Sequence, residues 1–229
     1  MQIAGFQKTT LLDYPGYLAC TVFTPGCNMR CPFCHNADLF APDFSSSEEE
    51  VLAHLKKRAG ILEGVCVTGG EPTLQKDLPE FLAKVKALGY RVKLDTNGTH
   101  PAMLKRIAEE GLADYAAVDI KTSPERYPVV CGRADVDMDA VRETVSFLLS
   151  GGLPFEFRTT VVHELHRPED FEAIAAWVEG APRYYLQSYR DSEQVYRREF
   201  TPPSLEELHT YEAILAPHVC EVALRGVDD

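Results

Sequence analysis

Short apolar runs alternate with amphipathic stretches along most of the chain. The runs have the length and composition of buried β-strands, and they occupy residues 18–23, 64–68, 91–95, 115–120, 155–162 and 183–187. Because the order β then α recurs, the pattern predicts a series of βα units.

The stretches between these runs carry apolar residues at helical spacing. They predict one helix that follows Ser47 and further helices near residues 78–88, 101–110, 138–150 and 168–178. Ser47 and Glu50 have the spacing of a capping box, and Ser204 and Glu207 have the same spacing near the C-terminal end.

The βα repeats predict an α/β fold with a mostly parallel sheet, because strands this apolar are buried on both faces. Six units are too few for a closed eight-stranded barrel and more regular than most doubly wound sheets, so we expect a partial (β/α)6 barrel. We expect a single domain over residues 1–229, with its core at about 16–190 and a C-terminal helix and strand extension at 200–225.

The charge balance argues against a nucleic-acid partner. Lys and Arg number 23 against 35 Asp and Glu, which gives a net charge of −12, and the basic residues are not gathered in one place. The chain shows no secretory signal and no run approaching the ~18 apolar residues of a membrane span. We therefore expect a cytoplasmic protein with neither a nucleic-acid nor a membrane partner.

Seven cysteines are the most informative feature of the composition. An odd number without a secretory signal argues against disulfides. Cys20, Cys66 and Cys220 lie in β-like runs, where a free cysteine usually behaves as a small buried hydrophobe, so we expect three core thiols. Cys131 lies in a predicted loop and receives no role.

The other three cysteines lie within eight consecutive residues, with the spacing C-x3-C-x2-C. Cys27, Cys31 and Cys34 can occupy three corners of an iron–sulfur cluster, since thiolates suit iron, and the fourth iron is then left open. The alternative is a zinc site, which needs a fourth ligand. The nearest candidate is His35, but two adjacent residues rarely both reach one ion.

Polar residues follow the other strands at the edge where parallel strands converge. Gly69 and Gly70 allow the backbone to approach a ligand, and Glu71 can accept a hydrogen bond from an ammonium group; the alternative is a simple turn. Asp95 and Asp119 end two further strands. They can bind a cation or hold an amine and hydroxyl groups, or they can serve only as caps.

Two positive groups, Lys121 and Arg158, lie at the same edge. They can hold a carboxylate or balance the two acids, and the alternative for Lys121 is a solvated loop side chain. Together with the cysteine loop and the segments that contain Glu71, Asp95 and Asp119, the strand that contains Arg158 makes five separated segments that we expect to face one cavity.

The cysteine spacing, with Phe33 before the last cysteine, resembles the signature of the radical S-adenosylmethionine (SAM) superfamily, and TGGEP at 68–72 resembles its second motif. The opening GFQKTTLLDYPGYLACTVFTPGCNMRCPFCHN resembles the activating proteins of anaerobic ribonucleoside-triphosphate reductase, which are related to the pyruvate formate-lyase activating enzymes. LDTNG at 94–98 and VDIK at 118–121 resemble segments of both. The resemblance runs from about residue 5 to residue 189.

This resemblance implies an oxidoreductase with a partial barrel of the radical SAM type. A [4Fe-4S] cluster held by Cys27, Cys31 and Cys34 would chelate SAM and cleave it reductively, and the deoxyadenosyl radical would take a hydrogen atom from a glycine of a partner protein. The implied partners are the large subunit of anaerobic ribonucleotide reductase and a flavodoxin or ferredoxin that donates electrons.

The resemblance also implies contacts with SAM. Phe33 and the backbone near His35 would border the adenine, and Gly69, Gly70 and Glu71 would meet the amino group.

On the opposite side, Asp119 and Lys121 would contact the ribose or the carboxylate, and Arg158 would contact the carboxylate. Asp95 with Thr96 resembles a position that binds a monovalent cation.

One departure from the pyruvate formate-lyase activators concerns a late histidine near the sixth strand. The corresponding stretch here offers Gln187, Ser188 and Tyr189, which leaves the late SAM contact open. Three rival functions also remain: activation of a pyruvate formate-lyase-like enzyme, small-molecule chemistry like that of 7-carboxy-7-deazaguanine synthase, and a zinc-stapled binding module without catalysis. The LLDYPG segment at 11–16 argues against the small-molecule enzyme.

Overall fold

The computed structural model describes residues 1–40 and 45–227, and its strands form one eight-stranded sheet in the order β1 to β8. The strands are β1 (Gly5–Thr10), β2 (Ala19–Thr24), β3 (Gly64–Gly69), β4 (Arg91–Thr96), β5 (Tyr115–Asp119), β6 (Phe155–Val161), β7 (Tyr184–Ser188) and β8 (Val222–Arg225).

Strand β1 pairs antiparallel with β2, and every other neighbouring pair is parallel. β1 and β8 lie at opposite ends of the order, so the sheet is open. The predicted α/β fold with a partial barrel and a mostly parallel sheet is confirmed. Strand β1 was not expected from the sequence, because its central residues are exposed and polar and give no apolar run.

The α-helices cover the outer face of this sheet. They are α1 (Glu48–Lys57), α2 (Leu78–Ala87), α3 (Pro101–Glu109), α4 (Tyr127–Val130), α5 (Met138–Leu149), α6 (Pro168–Trp177) and α7 (Leu205–Leu215). Ser47 Oγ accepts the N–H of Glu50 at 3.1 Å, and Ser204 with Glu207 forms a complete capping box. The single-turn helix α4 was not predicted.

Strand side chains alternate between an apolar outer face and a polar interior. On β3, Val65 and Val67 belong to the main core beneath the helices, whereas Thr68 lines an interior cavity. On β4, Leu94 belongs to the same core, and Asp95 lines the cavity. The inner faces of these strands therefore contribute polar groups to the barrel interior.

The cysteines outside the cluster motif take three different positions. Cys20 and Cys66 are buried as predicted, but the prediction for Cys220 is wrong, because this residue is exposed ahead of β8. Its backbone N–H donates to Ala181 O at 2.9 Å. Cys131 is buried in a second apolar cluster that also contains Cys31.

Across the described residues, no helix is both long and apolar enough to cross a membrane.

We expect Asp170→Ala to destabilise the fold by about 3–5 kcal/mol, because it removes one partner of a buried charged group. Asp170 is 3% exposed and joins α6 to the loop after β5 by accepting hydrogen bonds from Ser123 Oγ, the Arg126 guanidinium and Arg167 N–H. Urea unfolding followed by circular dichroism measures the change. The control Glu169→Ala removes an exposed carboxylate from the same turn, and an equal loss in both variants would contradict the assignment.

Candidate active site

The thirteen residues selected from the sequence all line one cavity of about 310 Å³ at the carboxyl ends of the parallel strands. They are Cys27, Cys31, Phe33, Cys34, His35, Gly69, Gly70, Glu71, Asp95, Thr96, Asp119, Lys121 and Arg158. Sequence reasoning missed further lining residues, among them Asp13, Asn97 and Thr160. Gln187, from the stretch that replaces the expected histidine, also lines the cavity.

The cysteine loop is held by contacts from distant parts of the chain. Within the loop, Arg30 Nη1 donates to Cys27 O at 2.5 Å, and the Arg30 N–H donates to Cys131 O at 2.9 Å. On the other side, the N–H of Tyr196 donates to Cys34 O at 3.0 Å. These bonds fix a segment that has little regular structure of its own, so the three thiols face the cavity together.

Burial sets the protonation of the three thiols. It raises the pKa of Cys27 to about 11 and that of Cys31 to about 12, and it also raises the pKa of Cys34. The positive charge of Lys121 opposes this effect, because it lowers the pKa of all three thiols. The thiols are therefore protonated at neutral pH, and binding of a metal must displace their protons.

Gly69 and Gly70 bring the end of β3 against the start of the cysteine loop. Gly69 has a φ of +115°, and a Cβ there would overlap the backbone of Thr24, whereas a Cβ on Gly70 would overlap Gly26 O. The close approach allows Gly70 N–H to donate to Thr24 O and Glu71 N–H to donate to Gly26 O, both at 2.8 Å. The packing of these two segments thus requires glycine at both positions.

The Glu71 carboxylate is buried and joins the ends of β3 and β4. It accepts the N–H of Thr73 at 3.0 Å, the hydroxyl of Thr96 at 2.7 Å and the N–H of Asn97 at 2.7 Å. Burial raises its pKa despite these hydrogen bonds. The amino-group contact predicted for Glu71 would compete with these protein donors.

Five charged groups of alternating sign extend from the barrel interior into the cavity. Lys93 pairs with Asp95, Asp95 pairs with Arg158 at 3.0 Å, Arg158 also pairs with Asp119, and Asp119 pairs with Lys121 at 2.9 Å. Burial alone would raise the pKa of Asp119, but the two cations hold it well below its usual range. Sequence reasoning missed Lys93, the most deeply buried member of this series.

Two buried residues that sequence reasoning missed support Lys121 and Asp119. His166 Nδ1 accepts the N–H of Val162 at 3.0 Å, which leaves Nε2–H to donate to Lys121 O at 2.8 Å. The Tyr127 hydroxyl accepts Lys121 N–H at 3.1 Å and donates to Asp119 O at 3.3 Å. Nothing in the local sequence pattern distinguishes either residue.

Residues 21–178, more than half of the chain, match the family model of the radical SAM superfamily. The chain belongs to this superfamily. The family match confirms that the protein is an enzyme, and it sets aside the zinc-stapled binding module. Membership implies a [4Fe-4S] cluster and SAM as cofactors.

Individual relatives agree with this placement. A Methanocaldococcus jannaschii protein named as a glycyl-radical enzyme activating enzyme is 29% identical over 234 residues, covering 99% of this chain and 96% of its own. A pyruvate formate-lyase-activating enzyme from Streptococcus mutans is 30% identical over 182 residues, covering 73% and 68%. A solved domain of such an enzyme from Bacteroides vulgatus shares the fold at 17% identity, with a TM-score of 0.60, covering 72% and 99%.

The residues of this radical SAM enzyme fit its cofactors. Three soft sulfur donors from one loop face the cavity, and no side chain at Gly69 or Gly70 obstructs it. Across the described ranges, no three His, Cys, Asp or Glu side chains are arranged to hold a single metal ion. We propose that Cys27, Cys31 and Cys34 hold the cluster.

The remaining cavity residues offer complementary contacts for SAM. Phe33 supplies a buried aromatic face, and the charges of Lys121 and Arg158 can attract a carboxylate. Burial lowers the pKa of His35, so its ring is neutral at neutral pH.

We expect His166 to make the enzyme less stable in acid. Burial lowers the pKa of His166, so the unfolded chain binds the extra proton first and stability falls as the pH drops below about 6.5, with a slope approaching about 1.4 kcal/mol per pH unit. Urea unfolding at several pH values between 5 and 8 tests this expectation. His166→Gln should remove that part of the slope and the control His209→Gln should keep it; equal slopes in all three proteins would contradict the prediction.

We expect Gly70→Ala to weaken SAM binding by about tenfold or more, because the new Cβ would push the backbone at Gly26 away from β3. Iron content after reconstitution and equilibrium dialysis with SAM measure the effect. The control Gly5→Ala places a Cβ in ordinary contact with the Phe23 ring at 3.5 Å. Unchanged SAM affinity in the Gly70 variant would show that SAM binding does not depend on the close approach of β3 to the backbone at Gly26.

Proposed function

We propose that this radical SAM enzyme installs a glycyl radical on a partner enzyme, and that the partner is an anaerobic ribonucleoside-triphosphate reductase. The observation that carries the proposal is the similarity to the Methanocaldococcus jannaschii activating enzyme, which extends over 99% of the chain. The resemblance of the opening segment to reductase activators supports the choice of partner.

Different residues of the cavity would contact different groups of SAM. When bound, the reduced cluster and SAM supply a deoxyadenosyl radical that can take a hydrogen atom from a glycine. In the proposal, backbone carbonyl oxygens of Gly69 and Gly70 accept hydrogen bonds from the SAM amino group. Lys121 and Arg158 attract the SAM carboxylate, and their partner Asp119 orients both cations.

The apolar part of the cavity wall would exclude water from the reacting atoms. Phe23, Met29, Phe33 and Phe40 contribute to this wall, and Met29 and Phe33 are almost completely buried. Phe33 and the backbone near His35 would border the adenine. Exclusion of water would protect a reactive radical until a glycine from the partner reaches it.

We also propose that a flavodoxin or ferredoxin reduces the cluster by docking on the cysteine-loop face. Arg197 lies on this face, where its N–H donates to Pro32 O at 2.8 Å. Arg133 follows α4 and is exposed, and its guanidinium pairs with both oxygens of Asp135 at 2.9 Å. Arg197 pairs with Glu199 at 3.8 Å, so an acidic electron donor would have to replace these two carboxylates as the partner of each arginine.

The decisive experiment mixes reconstituted, reduced enzyme and SAM with purified anaerobic ribonucleotide reductase. We expect a glycyl radical signal on the reductase in electron paramagnetic resonance. A signal only on a pyruvate formate-lyase-like enzyme would keep the activating function but change the partner. Turnover of a small pterin-like substrate without any partner protein would refute the proposal in favour of a 7-carboxy-7-deazaguanine synthase-like enzyme.

We expect Cys31→Ala to lose the cluster and to lower formation of deoxyadenosine by about a thousandfold or more, because two thiolates cannot replace three. Anaerobic iron and sulfide analysis and chromatography of the reaction products measure both effects. The control is Cys220→Ala, since that cysteine is exposed and does not line the cavity. A Cys31 variant with full activity would refute the ligand assignment.

A further inference from the structure

The position expected to bind a monovalent cation is already filled by protein partners. Asp95 Oδ1 accepts a hydrogen bond from Lys93 Nζ, and Asp95 Oδ2 accepts one from Arg158 Nη1 at 3.0 Å. The Thr96 hydroxyl donates to Glu71 at 2.7 Å and accepts Gly98 N–H at 3.1 Å. Each of these side-chain oxygens therefore already has a protein partner, and two positive groups lie at Asp95 where an additional cation would have to bind.

The position of Lys93 explains this arrangement. Lys93 and Asp95 are two residues apart on β4, so both side chains point into the barrel interior, while Val92 and Leu94 point into the apolar core. Lys93 is only 2% exposed. A buried ammonium group is tolerated only when an opposite charge accompanies it, and Asp95 supplies that charge.

The fixed cations around Asp95 also argue against a further cation. Lys93 and Arg158 both contact Asp95, so two positive charges already meet its single negative charge. The neighbouring carboxylates have protein partners as well: Asp119 pairs with Arg158 and Lys121, and Glu71 accepts hydrogen bonds from Thr96 and Asn97. An added monovalent cation at Asp95 would lie beside two fixed cations in a poorly solvated interior, where repulsion is weakly screened.

We propose that the ammonium group of Lys93 is a tethered substitute for an exchangeable monovalent cation. It neutralises Asp95 permanently, and Asp95 in turn holds Arg158 in the orientation that also binds Asp119 at the cavity wall. Lys93 is thus a positioning residue, and the enzyme needs no added Na⁺ or K⁺ to organise this side of the SAM site. The inference rests on SAM binding in this cavity and not on the identity of the partner enzyme.

The test compares KCl, NaCl and choline chloride at equal ionic strength, because choline is too large to enter the site. For the wild-type protein without cofactors, we expect melting temperatures that agree within about 1 °C in the three salts. For the reconstituted protein, we expect SAM dissociation constants that agree within about twofold. A wild-type protein that needs K⁺ or Na⁺ for stability or for SAM affinity would overturn the proposal.

The variant Lys93→Met removes the charge and keeps much of the side-chain length. We expect it to bind SAM about tenfold or more weakly in choline chloride and to recover part of that loss in KCl or NaCl. Its melting temperature without cofactors should likewise become higher in KCl than in choline chloride. A Lys93→Met protein that folds and matches the wild type in all three salts would overturn the proposal.

Two further variants serve as controls. Lys93→Arg keeps the positive charge and should remain independent of the salt cation. Lys86→Met removes a lysine that pairs with both oxygens of Asp114 at 2.8 Å, outside the SAM cavity, and should lower stability without creating cation dependence. If Lys93→Met fails to fold, the wild-type and Lys93→Arg measurements decide: salt-cation dependence in either protein refutes the proposal, and independence in both supports it.

Discussion

The interior of the open barrel holds charged groups away from bulk water, and this is possible only because their signs alternate. Lys93, Asp95, Arg158, Asp119 and Lys121 form one series in which each charge contacts at least one opposite charge. An unpaired member would carry a large desolvation penalty, so each side chain fixes its neighbours. The parallel register places Asp119 opposite Arg158 on adjacent strands, and the sheet thereby aligns the series with the SAM cavity.

The cysteine loop obeys a different constraint, since it has few regular hydrogen bonds and depends on contacts from distant segments. Gly70 allows the end of β3 to approach the start of the loop, and Cys131 accepts a backbone hydrogen bond from Arg30. The backbone at Tyr196 holds the other end of the loop. The backbone of the loop is therefore held at the cavity before any metal binds, which reduces the conformational entropy that assembly of a cluster must overcome.

Much of the fold and most of the cavity wall could be predicted from the sequence, because both follow from local rules. Apolar periodicity marks buried strands, and the carboxyl ends of parallel strands meet at one edge, so residues such as Glu71 and Arg158 converge. Lys93 was missed because periodicity does not reveal that the inner face of β4 is polar. His166 was missed for another reason: it supports Lys121 from 45 positions away along the chain. Cys220 was misplaced because an apolar run was extended beyond the start of β8.

The ion pairs also determine how the cavity responds to pH. The pKa of Asp119 is held well below its usual range, and that of Lys121 is raised because the attraction of Asp119 outweighs the effect of burial. Neither group changes charge near neutral pH, and Gln187, which lines the cavity in the stretch where we expected a histidine, cannot titrate at all. The attraction that Lys121 can exert on an anionic ligand is therefore constant across the physiological range. A change of activity with pH on this side of the cavity would instead come through His166, which holds the Lys121 backbone and whose pKa is lowered by burial.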